Sequence, residues 1–303
     1  MEINENIKNK TNFNLAGIIP AAGQLLDFNL PWHDSLIPIG QNYLALEKAV
    51  FDCAVAGCNT IWIVCPKEMQ PLIRYRLGDY ILDPIKYFIG IKFGNYPVTF
   101  EIPIYYCPIE PKDVGRRDCL AWSIITGAQY AWRVGRKISR FTTPDKYFVA
   151  FPYGMFTPYY MNNERTKIRK NAPFFISYEG LSFKDGYYLP FTFSPEDFLK
   201  CRKKFRNSEK KGYNALGERL SADERYSGRY FTHDFVFSEV DSANAHILNI
   251  PWYYDVSNWA GLKKWLGSKN KLDRPKEVIL SYNEWNPLAI DTQTEEDELN
   301  EQK

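Results

Sequence analysis

The sequence has no apolar run approaching the roughly 18 residues of a membrane span, so no membrane-crossing helix is expected. Its opening, MEINENIKNKTNFN, carries no apolar signal core, and a cytoplasmic location is the expectation. Net charge is only +2, too small to argue by itself for nucleic acid or a membrane surface as partner. None of the six cysteines (Cys53, Cys58, Cys65, Cys107, Cys119, Cys201) forms a CxxC pair, which argues against a zinc site and for buried free thiols in a reducing compartment. No internal repeat is present, which excludes a solenoid.

Hydrophobic residues make up 45% and charged residues 24%, the composition of a globular rather than a disordered chain. Aromatics reach 16%, enough for a large core or for flat surfaces that take rings. LAGIIPA (15–21) reads as a buried strand entering a tight loop. QNYLALEKAVFDCAVAGC (41–58) has apolar residues at helical spacing, with Gly57 suited to a C-terminal cap. NTIWIVCP (59–66) is a second buried strand, and the three make a parallel crossover unit. A helix over 67–81, a strand over 98–109, a helix over 116–135 stopped by Gly135, and a strand over 145–152 continue the alternation.

These elements predict an α/β fold with a doubly wound, mostly parallel, Rossmann-like sheet. The second half is less regular. Segments 172–180 and 186–193 read as sheet additions, and SPEDFLKCRKKF (194–205) as a helix capped by Ser194. Residues 207–230 read as a polar loop, 246–256 as a strand, and 257–268 as a helix capped by Ser257 or Asn258. The expected organisation is a lead-in over 1–13, one domain over 14–268, and an extended segment over 269–303. That segment ends in an acidic tail, with six acids against one lysine over 291–303.

Four stretches, in order, resemble the sugar-phosphate nucleotidyltransferases (NDP-sugar pyrophosphorylases). IIPAAG (18–23) is similar to the family's opening strand and nucleotide loop. SLIPIGQNYLALEKAVFDCAVAGCNTIWIV (35–64) is similar to its loop, helix and second strand. VGRRDCLAWSI (114–124) sits where the family has GTADAL. YYLPFTFSPEDF (187–198) with WYYDVSNWAGLKKWL (252–266) resembles its two late segments. The resemblance spans about residues 15–268. It implies a GT-A-like nucleotidyltransferase fold, and a reaction in which a sugar-1-phosphate displaces pyrophosphate from a nucleoside triphosphate. It also implies Mg2+ held by two aspartates, and a nucleotide or nucleotide-sugar as ligand.

The charged positions depart from that pattern. The family arginine aligns near Asp27, and its Pro-Lys near His33-Asp34. Tyr153 stands at the first metal aspartate, and only the second, Asp255, is kept. No lysine or arginine lies between Gly17 and Gln41. An acid near the phosphates repels them by about 4 kcal/mol at 4 Å and an effective dielectric near 20.

Each candidate has two readings. Ala21, Ala22 and Gly23 present backbone N–H groups to a ligand, or only turn the chain. Arg116 and Arg117, after Gly115, supply the missing positive charge, or pair with Asp118 or Glu110 on the surface. Asp255 is a metal ligand or a capping residue before Ser257. Asp27 and Asp34 form a new acid pair or face water. His33, beside Trp32, is a base or a structural residue. The seven lysines and arginines over 200–211 meet an acidic partner, the chain's own acidic tail or nucleic acid, or form a solvated helix face.

Three functions follow. One is a divergent nucleotidyltransferase using Arg116 or Arg117. Another is a non-catalytic nucleotide or nucleotide-sugar binder, acting as a regulatory or scaffold subunit or as a homo-oligomer. The last is a GT-A-like glycosyltransferase, disfavoured because no Asp-x-Asp pair follows the strand at Pro152-Tyr153-Gly154.

Overall fold

The structure, a computed structural model, describes residues 13–23, 28–93, 100–138, 142–210, 212–213, 216–225, 227–276 and 279. Most of the expected lead-in, Asp27 and the acidic tail lie outside the described residues.

In chain order the first half runs β1 (Leu15–Pro20), β2 (Pro38–Gly40), β3 (Tyr43–Leu44), α1 (Ala45–Ala56), β4 (Thr60–Val64), α2 (Gln70–Leu77), β5 (Tyr80–Leu82), α3 (Pro84–Phe93), β6 (Glu101–Cys107), α4 (Leu120–Ile138) and β7 (Lys146–Val149). The second half adds β8 (Gly154–Met155), α5 (Arg165–Ile168), β9 (Phe174–Ser177), β10 (Phe191–Phe193), α6 (Pro195–Ser208), α7 (Ala222–Arg225), α8 (His233–Phe237), β11 (His246–Asn249), β12 (Tyr254–Asp255) and α9 (Trp259–Leu266). The main sheet has the order β11-β9-β10-β7-β1-β4-β6-β5. Strands β7, β1, β4 and β6 are parallel, while β10 and β5 run against their neighbours. This is the expected doubly wound α/β layout with late additions.

Alternate residues of each central strand feed different layers, as a sheet buried on both faces requires. Leu15, Ile19, Ile61 and Ile63 pack with α1 and α2, whereas Ala16, Ile18, Trp62 and Val64 pack with α4, α6 and α8. Two glycines let the helices approach closely. A Cβ on Gly17 of β1 would stand 2.7 Å from the Cys53 Sγ of α1, and one on Gly127 of α4 2.7 Å from Ile18 Cγ2. A third cluster joins Ile37, Ile39 and Tyr43 to Tyr153, Val256 and Trp265, fixing the β2–β3 hairpin against α9. All six cysteines are buried free thiols, and no helix among the described residues is long and apolar enough to cross a membrane.

Several boundaries differ from the sequence expectation. The helix expected over 67–81 ends at Gly78, whose φ of 75° breaks it, and the chain returns as edge strand β5. The unexpected α3 begins at Pro84, with Asp83 Oδ1 accepting the N–H groups of Ile85 and Lys86 at 3.0 and 3.2 Å. Helix α4 does not stop at Gly135. It runs through that glycine, which is buried where a Cβ would meet the Thr142 carbonyl oxygen at 2.7 Å. The strand expected over 246–256 divides into β11 and β12 around Pro251, which cannot donate to a ladder. The polar stretch 207–230 contains α7, started by the Ser221 hydroxyl accepting the Glu224 N–H. The Ser194 and Asn258 caps form as expected, on the N–H groups of Asp197 and Gly261.

Candidate functional site

Open α/β sheets place ligands outside the carboxyl ends of their parallel strands. Here a cleft of about 600 Å³ opens at the ends of β1, β4 and β6. Ala22 and Gly23 form its floor after β1. Lys67 and Met69 follow β4, Ile109 follows β6, and Leu30, Trp32 and His33 close one side. The ladder continues to its edge: Ala21 N–H donates to Val64 O at 2.8 Å, and Cys65 N–H to Cys107 O at 3.1 Å. The Ala21 N–H is therefore committed to the sheet. A Cβ on Gly23 would lie 3.3 Å from the Cys119 carbonyl carbon and the Leu120 nitrogen, and the Ser123 hydroxyl donates to Ala22 O. The floor is thus pinned to the start of α4.

His33 caps the short 3-10 turn Asp34–Leu36. Its Nδ1 accepts the Ser35 N–H at 3.2 Å and lies 2.9 Å from Ser35 Oγ. A backbone N–H can only donate, so the ring proton belongs on Nε2. That Nε2 is buried and finds no partner among the described residues. The residue is 5% exposed, and burial pulls its pKa down to about 4, so the ring is a neutral donor at physiological pH. Beside it Trp32 leaves 43% of its surface exposed, a flat apolar wall.

The charges along the cleft are mixed. Lys67, Glu68 and Asp118 all line it, one cation against two carboxylates among the described lining residues. Arg117 does not line the cleft. Its Nε and one terminal nitrogen donate to Glu209 at 2.6 Å each, the other terminal nitrogen donates to Asp113 at 2.9 Å, and its guanidinium lies over Trp122. The partners are thus Asp113 and Glu209 rather than Asp118 or Glu110, and this arginine ties the cleft's rim to the end of α6. Arg116 and Gly115 are exposed on the same loop and are not among the lining residues, whereas their neighbours Val114 and Asp118 are.

Strands β8 and β12 pair Gly154 with Asp255 and bring the Tyr153 turn alongside. The two positions that the resemblance assigns to a carboxylate pair are therefore neighbours. Tyr153 is buried, and burial together with the Asp34 carboxylate holds its phenol protonated. Asp255 Oδ1 accepts the Ser257 N–H at 2.8 Å, a turn-forming bond. This pair offers magnesium a single carboxylate with one oxygen already engaged, a donor set that fits the ion poorly. Asp34 does not face water. It is buried, because it opens the 3-10 turn packed beside Tyr153.

Lys67, Met69 and Trp32 were not singled out from the sequence. The signal for Lys67 and Met69 was their position directly after the buried strand NTIWIVCP, where the strand-end rule applies as well as after the first strand.

No family model matches the chain, and no curated protein matches its sequence. Solved structures share its fold. A protein of Bacillus anthracis described as a glucose-1-phosphate thymidylyltransferase, solved with sucrose, gives a TM-score of 0.51 at 13% identity, over 86% of this chain and 97% of its own. A UDP-glucose pyrophosphorylase solved with UDP-glucose gives 0.47 at 12%, over 84% of this chain and 97% of its own. A 4-diphosphocytidyl-2C-methyl-D-erythritol synthase of Anaerococcus prevotii gives 0.45 at 12%, over 84% and 94%. At such identities the likeness is one of fold. The chain has the α/β fold of the Bacillus anthracis protein, and what it does rests on its own site.

Proposed function

We propose that the chain binds a nucleotide or nucleotide-sugar in the cleft at the ends of β1, β4 and β6, and that it acts as a binding protein rather than a pyrophosphorylase. The carrying observation is an open, largely apolar cleft at the strand ends whose lining includes His33, with its buried Nε2 donor lacking a partner among the described residues. A neutral donor of this kind suits a base carbonyl or a sugar oxygen. Trp32 and Met69 suit a ring, which gains about 1–3 kcal/mol from stacking. Lys67 gives one phosphate a counter-charge at the lip.

Pyrophosphorylase chemistry needs more positive charge than this. Transfer from a triphosphate depends on cations neutralising the transferring group. Lys67 is outnumbered by Glu68 and Asp118, and Arg117 is taken by Glu209 and Asp113. Magnesium carried in by a triphosphate is an arm of the test. A binding protein of this type exerts its effect on a partner, which makes a regulatory or scaffold role the natural output.

The test is calorimetric titration of the chain with NDP-sugars, nucleoside diphosphates and nucleoside triphosphates, the last with and without Mg2+, alongside an assay for pyrophosphate release. One nucleotide or NDP-sugar is expected to bind, and His33→Phe is expected to weaken it about five- to tenfold, the worth of one neutral hydrogen bond. Failure of every nucleotide to bind overturns the cleft assignment. Mg2+-dependent pyrophosphate release from a triphosphate and a sugar-1-phosphate overturns the non-catalytic reading.

A further inference from the structure

A second cavity, of about 250 Å³, lies on the other side of α4, between that helix and α6 and above β7. It shares no lining residue with the cleft. Trp132 and Arg133 come from α4, Tyr147 from β7, and Phe198, Leu199 and Arg202 from α6.

Two donors there lack an acceptor among the described residues. Tyr147 is fully buried, its ring stacked 4.9 Å from Phe193, and its hydroxyl has no partner among the described residues. The Nε of Arg202 is likewise buried and unpartnered. Native interiors rarely leave such groups unmet, and two on one cavity mark a place where an acceptor belongs. Burial, aided by Glu196, keeps the phenol protonated and so a donor.

The surrounding charge is positive. Arg202 has Arg206, Arg133 and Arg117, the last paired with Glu209 and Asp113, as neighbours; the carboxylates are Glu110, which already faces Lys112 and Arg133, and Glu196 beside Tyr147. The walls are apolar: Phe198 is buried beneath the Arg202 guanidinium, and Trp132 and Leu199 stand exposed at the mouth. The volume falls below the roughly 300–1,000 Å³ of drug-sized sites, which limits the guest to about one ring and a short chain.

From this arrangement we infer that the α4–α6 cavity is a binding site for a small aromatic or arylalkyl carboxylate. Its carboxylate accepts from the Tyr147 hydroxyl and Arg202, and its ring lies against Trp132 and Phe198. A phosphate monoester fits less well, because its dianion loses more hydration than this largely apolar pocket returns.

The probe is 3-phenylpropanoate, titrated calorimetrically into the full chain at fixed ionic strength, with 3-phenylpropanamide as the neutral counterpart. The acid is expected to bind at least about tenfold more tightly than the amide, since hydrogen bonds to a charged acceptor are the strong ones. Tyr147→Phe is expected to weaken the acid about tenfold. The unliganded variant melts no lower than the parent, because it removes a hydroxyl with no partner among the described residues. Arg202→Met, which keeps the stem over Phe198, weakens the acid as well, while His33→Phe leaves it unchanged. No binding of the acid, equal binding of acid and amide, or indifference to both Tyr147→Phe and Arg202→Met overturns the assignment.

Discussion

Replacing Lys48 by methionine tests how the rim of the β8–β12 pair is anchored. Lys48 and Asp52 lie one turn apart on α1, both 0% exposed, with Nζ 2.6 Å from Oδ2. The same Nζ donates to Gly154 O at 2.7 Å and sits 3.5 Å from the Phe156 ring centroid. Asp52 Oδ1 has no partner among the described residues. Burial pushes the Asp52 carboxyl up from 3.8 to about 7 and pulls the Lys48 amine down.

Lys48→Met keeps the length of the stem and deletes the charge. At about pH 8 the carboxyl left behind is an unpaired buried charge or, as its pKa climbs, is neutralised by proton uptake, at a cost of up to about 3–5 kcal/mol. At about pH 5 Asp52 carries its proton, and the loss shrinks to the broken hydrogen bonds, about 1–3 kcal/mol. The sign follows from linkage. A carboxyl with a folded pKa above its ordinary value holds its proton more tightly when folded, so stability is lost as pH rises from 3.8 through about 7. Without Lys48 that folded pKa rises further, and the loss extends to higher pH.

Urea unfolding of parent and variant at both pH values, followed by tryptophan fluorescence, is expected to show a penalty about 2 kcal/mol larger at the higher pH. The double variant Lys48→Met/Asp52→Leu recovers most of it, since an apolar pair replaces an ionic one at little cost. An equal penalty at the two pH values, or no recovery in the double variant, refutes the reasoning.

His33 gives a pH dependence of the opposite sign. Its folded pKa, about 4, lies below the ordinary 6.5, so the stability from keeping it neutral is full above 6.5 and is lost as pH falls through about 4. His33→Phe is expected to remove about 3 kcal/mol of acid sensitivity across that window, read from urea midpoints. Gly127→Ala sets a methyl 2.7 Å from Ile18 Cγ2 and 3.0 Å from Val64 Cγ2. It is expected to cost about 1–3 kcal/mol in the same assay despite the better helix propensity of alanine.

The central strands and their helices were legible because burial on both faces leaves continuous apolar runs such as LAGIIP and TIWIV, the latter lying between Gly57 and Pro66. Gly135 misled because glycine within a helix also answers to packing, here against Thr142, and not only to termination. Edge strand β5 was hidden behind a helical pattern that Gly78 cuts short. At the site, the adjacency of Tyr153 and Asp255 was implied by the family resemblance, which sets both positions at one metal pair. The fate of Arg117 did not, since its partner Glu209 lies 92 residues away in sequence and no local pattern announces such a pairing. Likewise the Nε2 donor of His33 depends on which ring nitrogen meets Ser35, a matter of three-dimensional placement alone.

The two close-approach glycines bear on time as well as on space. With Gly17 against α1 and Gly127 against Ile18, β1 is gripped from both sides in the middle of eight strands. Its amides exchange with solvent only through near-global opening, the slowest process the molecule has. The exposed wall residues Trp32 and Val114 stand outside the sheet ladder, and they open locally at lower cost. Hydrogen exchange should therefore divide the cleft into a slow floor and fast walls. A guest that slows only the walls, leaving β1 untouched, binds by organising the loops around a surface that was already fixed.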